Sequence, residues 1–271
     1  MDGALLGTRR IHVREPDTTP TVAFRTVDGA GRLYVLGPRT RASYLMPKDV
    51  PHCVTVRLRP ETARPLLGVP LSELVDQVVP LRDLWGVRAD RLAEELTGMV
   101  PESDWAEQVM TRLEAAFRDR LAAQSSADLD RAGLVGAAAA LLSAEAALEP
   151  AGLVGAAALR SAEAALDRDD LVGVAAAPAV VAVARELGVS ERHLRNLFTG
   201  GVGVPPKRFA RISRVRGVLA RVCRQEGASL AADAGYYDQS HMTAEFREVM
   251  GVPPSAYRAG RLPAPAACSA G

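Results

Sequence analysis

The sequence is poor in the groups that most chemistry requires. It has four histidines and three cysteines in 271 residues. His12, His52, His193 and His241 are scattered, as are Cys53, Cys223 and Cys268, so no spacing suits a metal site and no disulfide framework is implied. Isolated thiols fit a reducing compartment. No Gly-x-x-x-x-Gly-Lys-Ser/Thr occurs, which makes Gly200-Gly201-Val202-Gly203 a turn rather than a phosphate loop, and Gly-x-Ser-x-Gly is also absent. No catalytic residue, metal or cofactor is therefore expected, and no enzymatic activity. Long apolar runs are missing too. The alanine-rich middle comes nearest, but Glu145, Glu149, Arg160 and Glu163 interrupt it. The first residues lack the short apolar core of a signal peptide, so the expectation is a cytoplasmic chain with no membrane partner. Lysine is scarce beside arginine, alanine, glycine and proline, a bias that GC-rich coding produces.

What is present is unevenly distributed. The formal net charge is +1, yet residues 179–271 hold 13 Lys and Arg against 7 Asp and Glu, a net +6, while the rest holds 20 against 25, a net −5. A basic C-terminal third is what a polyanionic partner needs, because bound phosphates release counterions. The length allows two domains.

The stretch from Pro178 to Tyr257 carries most of the information. Residues 180–187 form an apolar helical run that Gly188 stops, since glycine takes the left-handed conformation at little cost. Ser190 then caps a second helix. On it Leu194, Leu197 and Phe198 share one face at the i, i+3, i+4 spacing of a buried stripe, so Arg192, Arg195 and Asn196 point away from the core. The plan recurs: Leu230-Ala231-Ala232-Asp233-Ala234 leads to Gly235, a turn Tyr236-Tyr237-Asp238, and a helix from Gln239 to about Met250. Met242 and Phe246 repeat the spacing of Leu194 and Phe198, with the second turn one residue longer. Ala184 and Ala231 both lie four residues before the turn glycine, where helices approach closely. Between the hairpins, Pro206–Val222 carries the stripe Phe209, Ile212, Val215, Leu219, Val222, with Lys207, Arg208, Arg211, Arg214, Arg216 and Arg221 supplying charge. Such a helix spans ~25 Å, the right order to hold two recognition helices near successive turns of one DNA groove, ~34 Å apart.

This stretch resembles the DNA-binding domain of the AraC/XylS family of bacterial transcription regulators. The resemblance rests on residues 188–194, 203–209, 235–241 and 246–258 in that order, and covers about a third of the chain. It implies a double helix-turn-helix that binds double-stranded DNA, with Arg192, Arg195 and Asn196 reaching base edges from the first recognition helix. Lys207 and Arg208 join them, and Gln239, Ser240 and Thr243 act from the second. Ala244 stands where many relatives carry a long basic residue, and Glu245 would repel phosphate if it faced the duplex. RNA polymerase, a second copy of the chain and an unidentified small-molecule effector are further candidate partners.

The N-terminal part is expected to be irregular to about residue 20. Short strands follow at Thr21–Val27, Arg32–Leu36, Ser43–Met46 and Cys53–Leu58, with a turn at Asp28-Gly29-Ala30-Gly31. These are too few for a closed eight-stranded barrel. The segments 65–70, 72–74 and 80–86 resemble a poorly described N-terminal region of some AraC-type regulators. Trp85 reads as a core or interface residue. Ala89–Met99 and Asp104–Leu121 read as helices, the latter with Trp105, Val109, Leu113, Phe117 and Leu121 at i+4 steps. That stripe packs on the protein's own core or, in a sharper reading, forms a dimer seam. Residues 132–166 hold a repeat: Ala-Gly-Leu-Val-Gly-Ala-Ala-Ala starts at Ala132 and Ala151, and Ser-Ala-Glu-Ala-Ala-Leu at Ser143 and Ser161. A partial third copy begins at Leu171.

The expected fold class is thus α+β, mostly α. An N-terminal sensor or dimerisation region of short antiparallel strands then helices occupies 1–125. An Ala-rich helical linker follows at 126–177, an all-α DNA-binding domain at 178–261 and a disordered Pro/Ala-rich tail at 262–271. The leading function is a sequence-specific transcription regulator modulated by a ligand or by dimerisation. The alternative is a small-molecule-binding or protein-interaction module with a vestigial DNA-binding half.

Overall fold

Alternation along short β-branched segments builds the N-terminal sheet. In the computed structural model, which describes residues 11–27, 29–46, 53–99, 104–148 and 176–266, four strands pair antiparallel in the order β5-β2-β3-β6. They are β2 (Thr21–Val27), β3 (Ala30–Leu36), β5 (Cys53–Arg57) and β6 (Val78–Pro80). Register places Phe24 opposite Leu33 and Val54, and Val22 opposite Val35. These five side chains are buried on one face. The β2–β3 turn is tighter than expected: Ala30 and Gly31 belong to β3, and Gly29 takes the left-handed φ of 78° that the turn requires. Two further strands, β1 (His12–Arg14) and β4 (Ser43–Leu45), form a separate antiparallel ribbon. The first of these falls in a segment expected to be irregular. Among the described residues there is no closed barrel.

Helices cover the buried face of the sheet: α1 (Pro60–Leu67), α2 (Arg82–Trp85), α3 (Val87–Thr97) and α4 (Trp105–Ala122). The α4 stripe settles inward. Trp105, Val109, Leu113 and Phe117 all belong to the same core as Phe24 and Val35, so the stripe is a core face and not a dimer seam. Trp85 packs edge-on against Phe117 at 5.9 Å and donates its indole N–H to the Leu66 carbonyl at 3.0 Å, which makes it a core residue with its polar atom satisfied.

The first repeat copy lies in α5 (Ser126–Leu148); the second, and the part of the third before Ala176, lie outside the described residues. Far from being a bare connector, α5 contributes Val135, Ala138, Ala139 and Leu142 to a second core. That core is shared with α6 (Ala176–Glu186), α7 (Glu191–Val202) and Phe209 at the start of α8 (Pro206–Arg221). Contact is close. A β-carbon on Gly201 would lie 2.6 Å from Val135, so only glycine lets α7 meet α5 at that point. This corrects the reading of residues 200–203 as a turn: α7 runs through Val202 and ends at Gly203.

The distal half of α8 turns Val215 and Val218, with Val222 just past its end, to a third core. Its partners there are α9 (Gly227–Asp233) and α10 (Gln239–Met250). A short α11 (Pro254–Arg258) follows. The chain then returns to the N-terminal ribbon. Ala266, assigned to a disordered tail by composition, bridges to Leu45, and its N–H donates to the Tyr44 carbonyl at 2.8 Å. Residues 267–271 lie outside the described residues. No described helix is long and apolar enough to cross a membrane.

Candidate nucleic-acid interface

The two hairpins have the same backbone. Gly188 and Gly235 take φ of 66° and 74°. The residue after each glycine donates its N–H back five residues, Val189 to Ala184 and Tyr236 to Ala231, both at 2.9 Å. Each following helix is capped by a side-chain oxygen. Ser190 Oγ accepts from the His193 N–H at 3.2 Å, and Asp238 Oδ1 accepts from the His241 N–H at 2.7 Å. The caps satisfy N–H groups that a helix start leaves open.

On α7, Leu194, Leu197 and Phe198 are buried, and Phe198 meets Phe209 edge-on at 5.2 Å. Arg192, His193, Arg195 and Asn196 are exposed. Arg195 touches Glu191 one turn back at 3.5 Å with both partners well exposed, a pair worth little and easily exchanged for another anion. The far end of α7 is covered instead, with Gly203 beside Pro38 and Leu71. Only the N-terminal half of this helix is free.

On α10, Gln239, Ser240 and Ala244 are exposed and Thr243 is half-buried. Gln239 and Thr243 line a cavity of about 340 Å³ that Val222, Leu230 and Arg258 also border. Glu245 does not face outward. It is 5% exposed, and Arg214 Nη2 donates to both its oxygens at 3.1 and 3.2 Å. Arg211 Nε stands 3.3 Å away, and the His241 ring nitrogen 3.4 Å. Arg211 also donates to Glu248 at 2.8 Å. Burial, with the Glu245 charge beside it, pushes the adjoining Tyr236 phenol far up from its ordinary value. The feared repulsion between Glu245 and phosphate is therefore absent, and two arginines of α8 are occupied in holding α10.

The remaining basic residues of α8 divide similarly. Lys207 is exposed. Arg208 donates to the Thr40 hydroxyl at 2.9 Å, and that hydroxyl donates to Asp76 at 2.6 Å. Arg216 reaches the buried Asp17 at 3.0 Å, which Arg57 also contacts at 2.7 Å. The second hairpin is tied to the same N-terminal segment: the Tyr44 hydroxyl donates to the Met250 carbonyl at 2.6 Å, and the Ala42 N–H to the Val249 carbonyl at 2.9 Å. Sequence spacing missed these partners. Glu245 was the findable one, because it lies three residues from Met242 and one from Phe246, at the edge of the buried stripe. No metal-binding group of side chains occurs among the described residues.

Residues 183–260 match the model of a helix-turn-helix domain. None of the curated proteins is detectably similar to the chain. Among solved structures, the C-terminal domain of AraT, a response regulator from Geobacillus stearothermophilus, is 18% identical. It covers 48% of this chain and 88% of its own, with a TM-score of 0.34. ToxT from Vibrio cholerae with bound unsaturated fatty acid is 11% identical over 92% of this chain and 90% of its own, with a TM-score of 0.40. An apo ToxT variant is 12% identical over 93% and 94%, with a TM-score of 0.38. The domain match falls on the two hairpins and the helix between them, so residues 183–260 form a helix-turn-helix domain.

Proposed function

We propose that this chain is a sequence-specific transcription regulator that reads double-stranded DNA with the exposed N-terminal halves of α7 and α10. One observation carries the reading. Two hairpins with the same left-handed glycine at the turn each leave a polar surface open at the start of the second helix, above a buried apolar stripe. Arg192, Arg195 and Asn196 supply base-edge donors and acceptors; Gln239, Ser240 and Thr243 supply a neutral second set; Lys207 supplies a phosphate contact. Arg208 serves the contact with Thr40 first. The N-terminal region acts as the modulator, since it touches both hairpins. A half-open cavity of about 340 Å³ lies where it meets α5, α7 and α8, bordered by Thr18, Arg59, Ser143, Phe209 and Arg216. A small effector seated there would contact both halves and alter DNA affinity. No catalytic role is proposed for any residue.

The test is selection of bound duplexes from a random-sequence pool with the full chain, followed by affinity measurements on the enriched sequence and on scrambled DNA. Enrichment of a two-part site with a clear affinity ratio is expected. Equal, weak binding to every duplex at low salt would show that the DNA-binding half is vestigial.

A further inference from the structure

The two hairpin turns correspond residue for residue except at one position. Gly188 and Val189 correspond to Gly235 and Tyr236 through the same backbone bonds. Ser190 corresponds to Asp238 as the cap. Tyr237 has no counterpart. All twelve aromatic side chains lie among the described residues; ten are buried, Tyr257 is half-buried, and Tyr237 is 84% exposed. In a chain with 4% aromatics, the one aromatic left in solvent is the residue inserted just ahead of a recognition helix.

We propose that Tyr237 is a DNA-backbone contact. Its hydroxyl donates to one phosphate at the edge of the groove that α10 enters, and its ring lies against the adjoining sugar. This rests on the reading of α10 as a recognition helix. A helix about 10–12 Å across fills a major groove about 12 Å wide, so a residue two places before Gln239 lies at the wall, where the phosphates run. Tyrosine suits that position, with an apolar ring and a polar tip that bonds phosphate without reading sequence. The neighbouring acid does not interfere, because the Asp238 carboxylate is directed to the helix start by its 2.7 Å bond from the His241 N–H. A neutral donor also fills what the second hairpin lacks, since Gln239, Ser240 and Ala244 bring no positive charge to the groove.

The experiment compares the full-length protein with Tyr237→Phe and Tyr237→Ala on the selected duplex and on scrambled DNA across a salt series. Ethylation interference then maps the phosphates each protein needs. Both variants are at an exposed site and should unfold with the wild type. Tyr237→Phe should bind about tenfold more weakly on every sequence. Its salt slope should be unchanged, because no cation is lost, and it should no longer be sensitive to ethylation at one phosphate flanking the α10 subsite. Wild-type affinity and an unchanged interference map for both variants would overturn the proposal. So would a loss confined to one base pair, which would make Tyr237 a base reader. Failure of the wild type to prefer any duplex is a different result, and removes the recognition-helix reading on which the contact depends.

Discussion

In the first hairpin Arg192, Arg195 and Asn196 project into solvent from a helix whose core is wholly apolar. In the second, Glu245 turns inward to two arginines of α8 and to His241, and Gln239, Ser240 and Ala244 are left outside. One backbone plan thus serves two uses of charge. The first hairpin leaves its cations exposed and packs its apolar face on α5. The second draws on ion pairs for internal cohesion and presents a neutral surface. The difference teaches that counting basic residues on a DNA-binding domain overstates its DNA contacts: Arg211, Arg214 and Arg216 are held by carboxylates of the same chain.

The largest effect should come from breaking the internal charge pair. Glu245→Ala leaves the Arg214 guanidinium, only 16% exposed at its side chain, facing a site with no carboxylate. Removing one partner of a buried pair costs about 3–5 kcal/mol. Urea unfolding should show that loss, and Glu245→Gln should recover part of it by keeping hydrogen-bond acceptance. A cost below about 1 kcal/mol would mean that the second hairpin holds together by packing alone, like the first.

Next comes the dependence of the first hairpin on α5. Leu142 is 2% exposed in the core that α7 shares, so Leu142→Ala should cost about 2–5 kcal/mol. A fragment starting at Pro178 would keep the helix between the hairpins but lack α5. Without Val135, Ala138, Ala139 and Leu142, its first hairpin has an open core. Hydrogen exchange on that fragment should find α6 and α7 poorly protected while α9 and α10 retain protection. Equal protection of both would show that α5 is dispensable.

How much of this was legible follows from the reach of each interaction. The hairpin turns, the Ser190 cap and the apolar stripes of α7 and α10 are local chemistry that spacing alone located; the Asp238 cap was read only as part of a turn, and on α8 Val218 is buried where Leu219 was expected. Strands β3 and β5 were likewise visible through alternation, and β2 through its β-rich composition. Elements defined by distant partners were not. β1 is three residues long and exists because His12–Arg14 pairs with Ser43–Leu45. α1 begins at Pro60 and contains Pro65, so propensity argued against it, and burial of Leu66 and Leu67 won. The tail at Ala266 is ordered by a bond to Tyr44, more than 200 residues away. The site residues were named correctly as exposed at Arg192, Arg195, Asn196, Gln239 and Ser240. Arg208 was assigned without knowledge of Thr40, because nothing in the local sequence marks an N-terminal hydroxyl as its partner.

Readout should also be unequal. Arg195→Ala should cost ~1–3 kcal/mol on the selected site and relax preference at one base pair. Gln239→Ala should cost less, since its side chain borders the cavity between α9 and α10 and lies near Gly227. A base-by-base substitution scan with both proteins decides. If mismatches in the half facing Gln239 prove the more costly, the ranking of the hairpins is reversed.

The smallest effect separates two neighbours on α8. Lys207 is exposed, whereas the Arg208 guanidinium donates to Thr40, whose hydroxyl in turn meets Asp76. Asp76 takes a φ of 57°, rare for a side chain other than glycine, and also accepts the Thr40 N–H at 2.7 Å. Three groups thus share one network, and the charge of Asp76 lies one hydroxyl away from Arg208. Releasing Arg208 to a phosphate would require giving up that arrangement. A lysine in phosphate contact contributes about 0.9 to the slope of log affinity against log salt, so Lys207→Ala should lower the slope by about that amount without changing stability. Arg208→Ala should leave the slope alone and lower stability by about 1 kcal/mol, the worth of one hydrogen bond. If instead Arg208→Ala lowers the slope and leaves unfolding untouched, the Thr40 contact opens when DNA binds, and the first hairpin's cations extend into α8.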